Sequence, residues 1–219
     1  MLTVAFLLGV VVLAFLAVAV GPLYAADRLR DLREPTDPER AALDELRREA
    51  GLDVDRIAVV EVADPDSIDV SVKGPPRRRV LFLTETVLGD LEEDVAVGLL
   101  AAEAGRVRTY YGEFRALAVA VVVGILAAIV TASAAFDAGF LSLLAVGMAS
   151  FWVGRRVQYA ADDRAADAVG AARVADAFER VAERRGVEPA TGDWSTWFEV
   201  QPPLGDRIAA LRERAAESA

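Results

Sequence analysis

The chain has no cysteine and no histidine, and Lys73 is the only lysine among its 24 basic residues. The first two absences exclude a disulfide framework, a thiol nucleophile, a Ser-His-Asp triad and any metal site built on thiolate or imidazole. Without cysteine, the redox compartment leaves no mark on the sequence. A basic surface is also missing, since 34 acids outnumber the bases and the formal net charge is -10. That balance argues against a nucleic-acid partner, whose phosphates call for a basic stripe.

The near-exclusive use of arginine, together with the acid excess, is similar to the composition of proteins from salt-loving archaea. A GC-rich genome also trades lysine for arginine, so composition leaves both origins open. The acidic surface is the physical hint toward high salt.

Of the 219 residues, 54% are hydrophobic and 26% charged, an odd pairing for one soluble globule. The apolar residues are blocked rather than dispersed. Residues 1–26, 116–136 and 138–154 carry no charge. About 20 apolar residues of helix cross a hydrocarbon core of ~30 Å, so each block is a candidate span, the third at the short end. The first lacks the basic n-region of a signal peptide and is expected to be an uncleaved anchor. The second and third, parted by Asp137, are expected to form a hairpin with Asp137 wet at its tip. Buried core helices are the alternative for the third block.

Arginines gather on one side of these blocks: Arg28, Arg30 and Arg33 after the first, Arg106, Arg108 and Arg115 before the second, Arg155 and Arg156 after the third. The positive-inside rule then places both polar segments in the cytoplasm and the N-terminus outside. The expected organisation is an anchor (1–26), a first cytoplasmic part (27–115), a membrane hairpin (116–154) and a second cytoplasmic part (155–219). The two polar parts together make one α+β, mainly helical domain on three transmembrane helices. Trp152 reads as an interface anchor.

Within the polar parts, Asp37-Pro38-Glu39 marks a helix start, with Leu43 and Leu46 forming its apolar stripe before Gly51. Segments 57–62, 68–72 and 79–83 are rich in β-branched residues and bounded by turn signals, which predicts a small sheet. Asp90 and Glu93 have capping-box spacing, and Leu91, Val95 and Leu99 recur every four residues, which predicts a helix from about 91 through Arg108. A further helix is expected to leave the membrane at Arg155 and to break at Gly170. The next carries Val174, Phe178 and Val181 on one face and ends by Gly186, and a last helix follows Pro202-Pro203.

The helix with Ala101-Ala102-Glu103-Ala104-Gly105-Arg106-Val107, the hairpin, and then Arg155-Arg156-Val157-Gln158-Tyr159-Ala160-Ala161-Asp162 stand in a telling order. They resemble the HtpX family of membrane-bound zinc endopeptidases, relatives of the CAAX prenyl proteases. That family has A-H-E-x-G-H-V on one helix and a later R-R-x-E-x-x-A-D supplying a third metal ligand. Its H-P-P-x-x-x-R-I corresponds here to Gln201-Pro202-Pro203-Leu204-Gly205-Asp206-Arg207-Ile208. The resemblance covers roughly residues 50 to 215 and implies a zinc peptidase fold.

The departures fall on the chemistry. Ala102, Arg106 and Gln158 stand where the resemblance puts the two histidines and the glutamate that hold zinc. Alanine has no lone pair, arginine is permanently cationic, and a glutamine amide is a weak ligand, so the expected cofactor content is none. Glu103 matches the general base, Arg207 the substrate- or oxyanion-binding arginine, and Gln201 replaces a histidine that helps stabilise the intermediate. Without a metal-polarised water, Glu103 has nothing to activate.

The sequence therefore suggests an inactive membrane peptidase homologue that binds membrane-protein clients or an active relative, beside the bilayer itself. Two alternatives are a peptidase rebuilt on carboxylates, with Glu103 as base and Asp162 or Asp163 as ligands, and a purely structural membrane module. Arg106 is expected to take the place of the dication, neutralising Glu103 and Asp162, against the alternative of a solvated surface pair. Trp194 and Trp197 either border the cleft or pack in the core.

Overall fold

The structure is a computed structural model and describes residues 2–29, 31–61, 67–186 and 202–218. Three of its helices are long and apolar enough to cross a membrane: α1 (Leu2–Ala19), α6 (Tyr111–Val130) and α7 (Phe136–Val169). α1 packs along α6, and α6 along α7. Contact is close where a side chain is missing: a Cβ on Gly124 of α6 would lie 2.6 Å from Val11 Cγ2, and one on Gly139 of α7 would meet Ile129. Small residues at such crossings let helix backbones approach in the absence of a hydrophobic drive. Leu8, Leu13, Leu126, Leu141 and Leu144 stay exposed on the outside of this bundle, as lipid-facing side chains do.

The apolar blocks do not map one to one onto helices. The first divides at Val20: Gly21 and Pro22 open a separate helix, α2 (Gly21–Leu29), whose Ala26 is buried against the sheet. The hairpin tip is residues 131–135, and Asp137 is not at it but in the first turn of α7, where an acid suits the positive end of the helix dipole. No new helix begins at Arg155. α7 runs unbroken for 34 residues, about 50 Å at ~1.5 Å per residue, and carries the polar motif straight out of the apolar segment to its end before Gly170.

Among the described residues four strands form one sheet in the order β1 (Leu32–Arg33), β2 (Arg56–Val60), β4 (Val80–Thr84), β3 (Val70–Lys73). β2 and β4 run parallel, and the outer strands pair antiparallel. Alternation along β4 sends Leu81 and Leu83 into the main helical core and Val80 and Phe82 toward α2 on the opposite face. A sheet covered on both faces reads as continuous apolar runs, which is why the periodicity of these strands is blurred.

α3 (Asp37–Ala50) begins one residue earlier than its acid suggests. Thr36 is the N-cap, and the Glu39 carboxylate accepts the Thr36 N–H at 2.7 Å. Arg33 adds a fork to the same carboxylate, with both bonds at 2.8 Å, and so ties β1 to the start of α3. The Asp90 to Glu93 spacing, by contrast, is not used. Asp90 stands at the C-cap of the short α4 (Glu85–Gly89), and Glu92 at the N-cap position of α5 (Glu93–Arg108), without a side-chain capping bond.

α5 is the centre of the domain, flanked by α3, α7, α8 (Ala171–Arg184) and β3. Its buried residues therefore lie all round the helix and are not confined to the expected Val95–Leu99 stripe; Leu99 itself is only partly buried. Two glycines set its distance from its neighbours. A Cβ on Gly98 would sit 2.6 Å from Ala177 Cβ of α8, and one on Gly105 would sit 2.0 Å from the Ala161 carbonyl oxygen of α7. α9 (Leu204–Glu217) closes the domain against α7 and α8.

Candidate functional site

The Gly105 to Ala161 contact brings the two motif helices, α5 and α7, close together, and each carries a polar pair near it. On α5, Glu103 and Arg106 are i, i+3 neighbours and form an ion pair through Glu103 Oε1 and Arg106 Nη1. Glu103 is buried, and its other oxygen, Oε2, accepts the backbone N–H of Val72 on strand β3 at 3.1 Å. Both carboxylate oxygens are thus engaged. The Arg106 charge is fixed in turn: its pKa is raised further, chiefly by the Glu103 charge, with Asp162 and Tyr111 adding to the effect and burial opposing it.

On α7, Gln158 and Asp162 are one turn apart and fully buried, and the Gln158 amide donates to Asp162 Oδ1 at 3.2 Å. The sequence suggests that Arg106 pairs with Asp162 as well as Glu103; in the structure Asp162 pairs with Arg207 instead. Arg207, the fourth residue of α9 after Pro202-Pro203, supplies a planar fork, Nε to Oδ2 at 2.7 Å and Nη2 to Oδ1 at 2.6 Å. This bidentate match engages both oxygens of the carboxylate, which one arm of Arg106 would not. Arg106 acts on Asp162 only through its field.

Beside these pairs lies a cleft of about 240 Å³ between the outer strand β3 and helices α5, α8 and α9. Ala102, Glu103, Arg106 and Arg207 reach it from the motif helices, and Leu99, Phe178 and Val181 form its apolar wall. Phe178 was legible only as part of the apolar face of α8. It also carries the Arg207 guanidinium over its ring, 4.4 Å from the centroid.

Asp163 turns the other way, to Arg214 of α9 at 2.7 Å. Among the described residues no three acidic groups converge as a metal-holding cluster. The set Glu103, Asp162 and Asp163 imagined for a rebuilt metal site is therefore not assembled. Gln201, Trp194 and Trp197 lie outside the described residues. Trp152 is exposed near the end of the apolar part of α7, with Arg156 stacked 4.7 Å above its ring.

Residues 39–215 match the model of Peptidase family M48. The crystal structure of Ste24p from S. mikatae superposes on 96% of this chain with a TM-score of 0.69 and 15% sequence identity, a likeness of fold. The chain spans 58% of the length of that protein. No curated protein sequence matches it. A family match over most of the chain, joined to a matching fold, makes this chain a member of peptidase family M48.

Proposed function

We propose that the chain is a non-catalytic M48 homologue that binds membrane-protein segments or an active relative through its cleft and its membrane helices. The observation that carries this reading is the engagement of Glu103. One oxygen is held by Arg106 and the other accepts the Val72 N–H, so each oxygen of the carboxylate that would serve as general base already has a protein donor.

The donor set also fails to suit zinc. A catalytic zinc needs three lone-pair donors and an open position. Ala102 has no donor atom, Arg106 brings a permanent positive charge to the site, and Gln158 offers only a neutral amide oxygen, a weak zinc ligand, which has no hydrogen-bond partner among the described residues. The second acid, Asp162, is spent on Arg207. No hydrolytic step follows from these groups, and the inherited part is the cleft with its apolar wall.

The distribution of Arg28, Arg115, Arg155 and Arg156 supports a domain on the cytoplasmic side of the cell membrane, with three membrane passes. The arginine usage and acid excess support a salt-rich setting. The role that fits is in the handling or regulation of membrane proteins. A photo-crosslinking side chain in place of Val181, on the cleft wall, tests the reading in native membranes. A discrete adduct with a membrane protein, lost on competition with purified partner, is the expected result. A uniform absence of adducts from Val181 and from Leu99 would contradict a binding role.

A further inference from the structure

The turn between β3 and β4 concentrates charge of the sign that the chain as a whole lacks. Residues 74–79 read Gly-Pro-Pro-Arg-Arg-Arg in a protein with a net charge of -10. The backbone here is tight. Arg78 donates its N–H to the Pro75 carbonyl at 3.0 Å, and Gly74 has φ +103°, with so little room that a Cβ would lie 2.3 Å from the Arg78 oxygen. Arg77 takes the third place of this turn at φ +67°, the left-handed position that turns give to glycine or asparagine. A bulky side chain kept where the backbone disfavours one points to a use for that side chain.

The three arginines divide the work. Arg79 is the tether: its N–H donates to Asp55 Oδ2 at 2.7 Å, its Nη2 reaches Glu113 at 3.2 Å, and its guanidinium lies 5.9 Å from the ring centroid of Tyr110. Tyr110 and Glu113 stand at the start of α6, whose charge-free stretch begins at Ala116, one helical turn or ~5 Å past Glu113. The headgroup layer is about 5–8 Å deep on each face of the hydrocarbon, so the tether fixes the turn at headgroup level.

Arg77 and Arg78 are exposed, and among the described residues neither meets a carboxylate. Elsewhere on this acid-rich surface Arg173, Arg212 and Arg214 each close on two acids. Arg115, exposed between Glu113 and Ala116, adds a third cation at the same level.

We propose that the turn between β3 and β4 is an anionic-lipid contact, in which Arg77 and Arg78 hold lipid phosphates and so pin the sheet, and the cleft beside it, to the bilayer surface. A guanidinium offers phosphate a bidentate match, and basic residues beside a spanning helix are drawn to an anionic leaflet. The turn is pre-shaped by its two prolines, so little ordering is lost on contact. This rests on α6 crossing the membrane and not on what the cleft binds.

The test is a titration of the detergent-purified full chain with phosphatidylglycerol and, separately, phosphatidylcholine, with bound lipid read by native mass spectrometry. The wild type is expected to prefer phosphatidylglycerol. Arg77→Gly and Arg78→Gln are each expected to weaken that binding about 5-fold, the effect of one basic residue at an anionic surface, and to leave phosphatidylcholine unchanged. Arg164→Gln removes the same charge from α7 at a point ~15 Å beyond Gly154, outside the headgroup layer, and is expected to change neither. Because glycine suits the Arg77 backbone, Arg77→Gly should lose lipid while its melting temperature holds or rises.

Unchanged phosphatidylglycerol binding in both turn variants, or an equal loss in Arg164→Gln, would overturn the proposal. A melting temperature that falls together with lipid binding in Arg77→Gly would assign that arginine to the fold and overturn it too. Displacement of the lipid by an equal concentration of inorganic phosphate would make the turn a phosphate site rather than a bilayer contact. Alkaline carbonate extraction of native membranes separates the underlying reading: release of the chain would remove the membrane passes and this proposal together, whereas a retained chain with unaltered lipid binding in the variants would remove the proposal alone.

Discussion

Arg207 meets Asp162 in a fork of two hydrogen bonds, 2.7 and 2.6 Å long, with both side chains buried and the guanidinium lying on the ring of Phe178. This pair joins α9 to α7 in the middle of the domain, so the third motif of the sequence serves here as a structural tie. Breaking a buried pair by removing one partner strands the other charge and costs about 3–5 kcal/mol. Arg207→Ala is expected to lose that much in equilibrium unfolding in detergent, whereas Arg207→Leu combined with Asp162→Leu should lose markedly less. Equal losses in both would show that the fork is not what holds α9.

Arg106 is less deeply buried, with 28% of its side chain exposed against 8% for Glu103. Water compensates part of the loss, so Arg106→Ala is expected to cost about 1–3 kcal/mol. Unchanged stability in the same unfolding measurement would reduce the pair to a solvated contact.

Gly105 touches the backbone of α7 rather than a yielding side chain. An added Cβ would sit 2.0 Å from the Ala161 oxygen, so the two motif helices must move apart. Gly105→Ala is expected to destabilise by about 1–3 kcal/mol despite the better helix propensity of alanine, and to expose Glu103. A stabilising effect in thermal unfolding would contradict the close crossing.

Glu39 sets an acid limit on the α3 anchor. Its hydrogen bonds from Arg33, then from the Thr36 backbone and hydroxyl, hold its pKa at about 2, down from 4.5. A depressed carboxyl pKa contributes stability that is complete above about pH 4.5 and vanishes as the pH falls toward about 2. The difference in unfolding midpoint between wild type and Glu39→Gln should therefore shrink from pH 6 to pH 2. A constant difference would mean that the Glu39 charge is not involved.

Much of this architecture is written in local signals. The charge-free blocks announce three long apolar helices, Gly51 and Gly170 mark helix ends, and Pro202-Pro203 introduces the last helix. What escaped was decided by packing. Gly21-Pro22 breaks an apolar run that hydropathy alone joins, because Ala26 has a sheet to cover. The continuity of α7 through Arg155 is invisible because a span and a soluble helix share one period. At the site, the family motifs place Glu103, Arg106, Gln158, Asp162 and Arg207 within one region. The choice of partners was not legible, since it depends on where α9 delivers the Arg207 fork and on a backbone N–H of Val72, which no side-chain pattern records.

The most direct test of a locked, metal-free Glu103 is elemental analysis of the detergent-purified protein in high salt, paired with cleavage of an unfolded substrate and a Glu103→Gln control. No stoichiometric metal, and cleavage indistinguishable from the control, is the expected result. Zinc near one equivalent, with cleavage that Glu103→Gln abolishes, would contradict it and make the chain a working peptidase.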